Sequence, residues 1–138
     1  MSEIIYQQLD PIMVPLVNKF YQTCGVRGRA IRQDNVVVAK VNGTIVGAAR
    51  LTQKEGNCLL VGVYSAPDFR NLGIAAALIK KLLNNSQEPI FTFAYKHLVP
   101  WYMRMMFTPM SPPESLKPYF DAYLKQGRKL TCLAYTRD

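Results

Sequence analysis

The stretch APDFRNLGIAAAL, residues 66–78, determines how the surrounding chain is organised. An apolar run from Cys58 to Ser65 precedes it and predicts a β-strand, and an amphipathic helix follows it. The loop between them contains Gly73 and small residues, so successive backbone N–H groups are exposed where the helix begins. Arg70 adds a fixed positive charge beside these donors. The sequence therefore predicts a binding site for a polyanionic ligand at this strand-to-helix loop.

The elements on either side of this loop predict a crossover unit. Apolar residues after Gly73 recur at helical spacing, with Ile74, Leu78 and Leu82 on one stripe. Residues 90–95 are nearly all apolar, which is typical of a strand buried on both faces. Because a strand, a helix and a buried strand follow one another, we expect the two strands to be parallel with a right-handed connection.

The N-terminal half predicts a strand at residues 4–9, a helix and a β-meander. Asp10-Pro11 has the pattern of a helix cap followed by proline, and Pro15 predicts an irregular or later helix start. The helix should end at Gly25, before a polar, basic loop over residues 25–34. Asn42-Gly43 is a strong signal for a two-residue hairpin turn between strands 36–41 and 44–51.

The C-terminal part predicts a helix over residues 97–107, a proline-rich linker over 108–113, a helix over 115–126 and a last strand over 130–136. Together these elements place the chain in the α+β (α/β) class. We expect a mixed central β-sheet of about six to seven strands flanked by helices.

Length and composition favour one globular domain over residues 1–138. No apolar run approaches the roughly 20 residues that span a bilayer, so we expect no membrane association. The N-terminus lacks the pattern of a secretory leader, and the three cysteines are far apart among apolar neighbours. These features predict reduced thiols, no metal cofactor and a cytoplasmic location.

The formal net charge is +8, from 17 basic and 9 acidic side chains. The basic residues are scattered, which makes a nucleic-acid-binding domain an unfavoured alternative. The tightest group is Arg27, Arg29 and Arg32, which suggests either an acidic acceptor molecule or the 3′-phosphate of a nucleotide cofactor.

Two short motifs resemble those of the GNAT (Gcn5-related) N-acetyltransferase family. The pattern [RQ]-x-x-G-x-[GA] of that family's acetyl-CoA-binding loop is matched by Arg70, Gly73 and Ala75. Trp101-Tyr102 followed by Met106-Phe107 is similar to the family's aromatic-Tyr-x-x-x-Gly-Phe segment. Two departures are Tyr95, where the family has Asn, and Met106, where it has Gly. The order of elements also agrees from about residue 4 to residue 107.

The resemblance implies the GNAT fold and acetyl transfer from acetyl-CoA to a primary amine of a small molecule or peptide. The implied cofactor-binding residues fall in two groups, the loop that holds the pyrophosphate and the strand end that pairs with the pantetheine arm. They are Arg70, Asn71, Leu72, Gly73, Ile74, Ala75 and Ala76, and Val63, Tyr64 and Ser65. A backbone N–H near Val63 is also implied as the donor to the reaction's oxyanion.

Tyr102 is implied as the general acid that protonates the leaving thiolate of coenzyme A. No base is assigned, because the strand from Cys58 to Ser65 contains no carboxylate; Glu55, Asp68, His97 and a water chain stay open. Loss of the base would leave a non-catalytic acyl-CoA-binding regulatory module as an alternative. The sequence is compatible with a homodimer and does not identify the acceptor.

Overall fold

A computed structural model of the chain describes residues 3–136. Within them the elements are β1 (Ile4–Gln8), α1 (Val14–Thr23), β2 (Asn35–Val41), β3 (Thr44–Lys54), β4 (Asn57–Ser65), α2 (Ile74–Asn85), β5 (Ile90–Tyr95), α3 (Val99–Met103), β6 (Thr108–Pro109), α4 (Lys117–Lys125) and β7 (Leu130–Tyr135). The strands are hydrogen-bonded in the order β1-β2-β3-β4-β5-β7-β6. This mixed sheet with flanking helices confirms the predicted α+β class.

The chain divides into two compact units, and β4 contributes residues to both of them. The first unit runs to residue 52 and includes residues 60–85, so it contains β1, β2, most of β3, α1 and α2. The second unit comprises residues 53–59 and the chain from residue 86 onward. None of the helices described between residues 3 and 136 is long and apolar enough to cross a membrane.

The first unit contains the capped turn and the hairpin that the sequence predicts. The N–H of Ile12 donates to Oδ1 of Asp10 at 3.1 Å and opens a 3₁₀ turn over Pro11–Met13. The α-helix then starts at Val14 with Pro15 in its first turn, where a missing N–H costs no helical hydrogen bond. Asn42 and Gly43 have φ values of 50° and 79°, which fits the predicted two-residue turn between β2 and β3.

Helix α2 packs its apolar stripe into the core of the first unit. Ile74, Leu78 and Leu82 are each no more than 1% exposed, as the helical spacing predicted. Ile74 and Leu78 pack over Gly47 of β3, where an added Cβ would lie 2.7 Å from a methyl carbon of Ile74. This close approach fixes the position of the N-terminus of α2 relative to the strand.

The second unit confirms the parallel pairing and revises three boundaries. Cys58 and Leu59 of β4 pair in parallel with Ile90 and Phe91 of β5. The helix predicted over residues 97–107 is a 3₁₀ turn followed by the five residues of α3, and α4 spans Lys117–Lys125 within the predicted 115–126. The predicted linker contains β6, which pairs with β7 at Thr108 and Pro109.

A glycine inside β4 shapes the strand that leads to the predicted loop. Gly62 has a φ of 65°, and its carbonyl oxygen accepts a hydrogen bond from the Tyr21 hydroxyl of α1 at 2.8 Å. Beneath it lies Arg50 of β3, only 7% exposed, with its guanidinium carbon 5.2 Å from the centre of the Tyr21 ring. An added Cβ on Gly62 would overlap Nη1 of Arg50. Only glycine therefore fits this left-handed position above a buried arginine.

We predict that Gly62→Ala lowers the free energy of unfolding by about 2–4 kcal/mol. A left-handed alanine costs roughly 1 kcal/mol, and displacing packed atoms adds about 1–3 kcal/mol. Gly25→Ala is the matched control, since Gly25 has a φ of 71° and nothing within 4 Å of an added Cβ. Urea unfolding followed by circular dichroism measures both changes. Equal losses in the two variants would show that Arg50 does not constrain position 62.

Candidate functional site

The loop between β4 and α2 presents a row of backbone donors at a helix N-terminus. Asn71 and Gly73 have φ values of 64° and 77°, and Gly73 has open space where a Cβ would be. The first helical hydrogen bond runs from the N–H of Ala77 to the carbonyl of Gly73, at 3.1 Å. The N–H groups before it lack an intrahelical partner, as at every helix start. Backbone φ values of alternating sign, together with N–H groups that lack an intrahelical partner, form sites that attract anions.

Arg70 is held at this loop by the end of β4. Its Nη2 donates to the hydroxyl of Tyr64 at 2.8 Å, and its Nε donates to the carbonyl of Ser65 at 3.3 Å. The guanidinium carbon also lies 5.2 Å from the centre of the Tyr64 ring. Arg70 is exposed, so its charge faces solvent while the two hydrogen bonds restrict its position. The structure thus brings Arg70, Tyr64 and Ser65 together.

The remaining predicted loop residues contribute in different ways. Asn71 and Leu72 are exposed, Ala75 and Ala76 are partly exposed, and Ile74 is 1% exposed with its side chain in the core. Ile74 can therefore offer a ligand only its backbone. Val63, Tyr64 and Ser65 are partly buried at the end of β4, just after Gly62. Gly62 has a left-handed φ of 65°, which marks an irregular position within the strand just before these three residues.

Tyr102 lies in the second unit and is largely buried. Its side chain is 7% exposed and makes T-shaped ring contacts with Trp101 and Phe107, whose centroids lie 5.0 and 5.5 Å away. Burial raises the pKa of the Tyr102 hydroxyl above 10.0, and a hydrogen bond with Thr92 opposes that rise. The hydroxyl is therefore protonated at neutral pH, which a proton donor requires.

The three residues considered as bases, Glu55, Asp68 and His97, are all exposed. The carboxylate of Glu55 accepts from the Tyr119 hydroxyl at 2.9 Å, in the turn between β3 and β4. Asp68 is exposed in a 3₁₀ turn over Pro67–Phe69. The His97 ring stacks on Tyr95, with centroids 6.0 Å apart. These contacts single out none of the three as a base.

The buried thiols are unsuited to covalent catalysis. Burial raises the pKa of Cys58 to about 12, with the nearby Glu88 adding to the rise, and burial raises that of Cys132 to about 11. Both groups are therefore thiols and not thiolates at neutral pH. Among the described residues no group of three or more His, Cys, Asp or Glu side chains could hold a metal ion.

Four residues beside β4 were not singled out by the sequence, namely Tyr21, Asp34, Arg50 and Gly62. Arg50 and Asp34 form a buried ion pair, with Nε of Arg50 3.3 Å from Oδ2 of Asp34. The two atoms are not aligned for a hydrogen bond. The same Asp34 oxygen accepts from the N–H of Ile31 at 3.1 Å. Two features of the sequence could have indicated these residues. They are a glycine within an apolar strand and an arginine within the strand-like run of residues 44–51.

Comparison with known proteins identifies relatives of the chain. The model described as the acetyltransferase (GNAT) family matches residues 10–105. No curated protein matches the chain.

Several solved structures share the fold at low identity. Rv2747 of Mycobacterium tuberculosis, crystallised with coenzyme A, has a TM-score of 0.72 and 15% identity, covering 97% of this chain and 99% of its own. Escherichia coli ElaA has a TM-score of 0.66 and 14% identity, with 96% and 99% covered. N-acetylglutamate synthase of Neisseria gonorrhoeae, complexed with coenzyme A and N-acetyl-glutamate, has a TM-score of 0.67 and 14% identity over 97% of this chain. This chain spans only 35% of that synthase.

The family match covers well over half of the sequence and includes both the β4–α2 loop and Tyr102. The chain therefore belongs to the GNAT acetyltransferase family.

Proposed function

We propose that the chain transfers an acetyl group from acetyl-CoA to a primary amine of a small molecule or peptide. The observation that carries the proposal is the start of α2, where the first N–H groups precede the first helical hydrogen bond, with Arg70 hydrogen-bonded beside it. Two of the structurally similar proteins were crystallised with coenzyme A, and the family of the chain is one of acetyltransferases.

The pyrophosphate of coenzyme A would lie at the N-terminus of α2. The N–H groups of residues 71–76 supply several hydrogen bonds and the positive end of the helix dipole. Arg70 adds a charge that needs little reorganisation, because Tyr64 and Ser65 already hold its guanidinium. Gly73 leaves open space above the loop, where a phosphate oxygen could approach the backbone.

The end of β4 would bind the pantetheine arm through its backbone. Val63, Tyr64 and Ser65 are the last residues of β4 and follow Gly62, whose φ of 65° is irregular for a strand. Backbone groups turned away from a neighbouring strand can pair with an extended amide-containing ligand. The N–H near Val63 would stabilise the oxyanion that forms when the amine attacks the thioester.

Tyr102 would act as the general acid. The amine attacks the thioester carbon, the tetrahedral intermediate expels the thiolate of coenzyme A, and the phenol proton of Tyr102 passes to that sulfur. The raised pKa keeps Tyr102 protonated, although it also makes the phenol a weaker acid. Direct attack agrees with the high pKa values of Cys58 and Cys132, which disfavour an acyl-cysteine intermediate. No side chain is assigned as the base that removes the proton from the acceptor amine.

A non-catalytic acyl-CoA-binding module is the second candidate. It is favoured by the absence of any carboxylate in the β4 sequence and by the burial of Tyr102 against Thr92. Release of coenzyme A thiol in the presence of a panel of amines separates the two functions. Binding of acetyl-CoA without any amine-dependent release would establish the second one.

We predict that Gly73→Glu weakens acetyl-CoA binding by more than about 100-fold, since a carboxylate would repel phosphate and occupy its place. Gly56→Glu is the matched control: Gly56 has a φ of 76° and Gly73 one of 77°, and both have open space at Cβ. Isothermal titration calorimetry gives both dissociation constants. If Gly73→Glu binds acetyl-CoA as tightly as the control, the pyrophosphate does not lie at this loop.

We predict that Tyr102→Phe lowers kcat by about 100-fold and leaves the KM for acetyl-CoA nearly unchanged, because only the proton donor is lost. Thr92→Val is the control, since it removes the same hydrogen bond and keeps the phenol. Equal kcat losses in both variants would assign Tyr102 a packing role. Because the pKa of Tyr102 is raised, loss of its proton should not reduce kcat below about pH 10.

A further inference from the structure

A groove of about 1200 Å³ runs along α1, away from the loop described above. One wall is formed by the 3₁₀ turn at Pro11 and by the outward face of α1, including Pro15, Asn18 and Lys19. The other wall is the loop of residues 26–32. Pockets for small molecules enclose about 300–1000 Å³, so this open groove has the size for a longer, extended ligand.

The charge of the groove has one sign. Its thirteen lining residues include the cations Lys19, Arg29 and Arg32, all three exposed, and no carboxylate. Asp34 follows this loop in sequence but is buried and paired with Arg50, so it does not neutralise the rim. A ligand with carboxylates would be attracted to these three cations. It would be repelled at the 3₁₀ turn, where the exposed Asp10 precedes Pro11 and accepts from the N–H of Ile12.

The groove also exposes two aliphatic side chains, one on each wall. Ile12 is 70% exposed and Ile31 is 52% exposed, with Pro11 and Pro15 beside Ile12. Aliphatic groups between cations match a peptide in which apolar and acidic side chains are mixed. A nucleic acid would instead use exposed aromatic rings for stacking, and the thirteen lining residues contain none.

The loop wall is held in place by partly buried hydrogen bonds. The amide nitrogen of Asn18 donates to the carbonyl of Ala30 at 3.0 Å, and the N–H of Ala30 donates to Oδ1 of Asn18 at 2.7 Å. The N–H of Ile31 donates to Asp34. A wall fixed in this way costs a ligand little ordering free energy.

We infer that this groove binds an acidic, aliphatic-containing peptide segment of a partner protein. The carboxylates of the peptide pair with Lys19, Arg29 and Arg32, and its aliphatic side chains pack on Ile12 and Ile31. A second copy of the chain is disfavoured as the occupant because it carries the same net charge of +8. The inference concerns binding alone and does not depend on the proposed acetyl transfer.

Fluorescence anisotropy with a labelled peptide of alternating Glu and Leu, acetylated at its N-terminus, tests the inference. The peptide has no free amine, so acetyl transfer cannot contribute to the signal. The double variant Arg29→Glu/Arg32→Glu should weaken binding by more than about tenfold. Lys80→Glu/Lys129→Glu changes the net charge equally at two exposed residues outside the groove, and it should weaken binding by less than about threefold.

The aliphatic contact has its own matched pair. Ile31→Ser should weaken peptide binding by about three- to tenfold, whereas Ile5→Ser, at a residue of β1 that is 53% exposed, should not. Absence of peptide binding, or equal losses in both double variants, would overturn the inference. Displacement of the peptide by single-stranded DNA of equal charge would also overturn it, because the surface would then recognise only polyanions.

Discussion

The buried ion pair between Arg50 and Asp34 is the constraint on which much of the first unit depends. Arg50 reaches from β3 to Gly62 of β4, and the ring of Tyr21 lies against its guanidinium. Removing two charges from water costs several kcal/mol, and mutual attraction often only offsets that cost. The pair therefore contributes little net stability. Its physical effect is to specify one arrangement of α1, β3 and β4, because breaking either partner would leave an unpaired charge in the core.

The same ion pair fixes the loop that follows α1. Asp34 accepts from the N–H of Ile31, and an added Cβ on Gly28 would lie 3.4 Å from Nη2 of Arg50. The loop at Gly28 and the strand at Gly62 thus both lie against one guanidinium. A change at Arg50 should disturb both features together, whereas Asn18 holds only the loop. Peptide binding and cofactor binding by Arg50 and Asn18 variants would therefore respond differently.

Local signals in the sequence were sufficient for the parts whose geometry is local. The Asn42-Gly43 turn, the Asp10 cap and the stripe on α2 depend on neighbouring residues, and each was predictable. The helix start after β4 was predictable because its signals are local, and a helix start determines its own free donors. By contrast, Arg50, Asp34 and Tyr21 are far apart in sequence, so only the tertiary structure shows that they are in contact. The burial of Tyr102 and the pairing of β6 depend on such long-range contacts as well.

Met106 departs from a family motif in side chain and has a backbone conformation that favours glycine. It occupies the position where the family has glycine, is 74% exposed and has a φ of 74°. A left-handed methionine costs about 1 kcal/mol, so a local preference alone would not select this conformation. The turn is imposed by its neighbours, since the N–H groups of Met105 and Phe107 both donate to the carbonyl of Tyr102, and Phe107 is 1% exposed. The hydrogen bonds to Tyr102 and the burial of Phe107 thus determine the turn. The residue type at position 106 determines only the conformational cost of its left-handed φ.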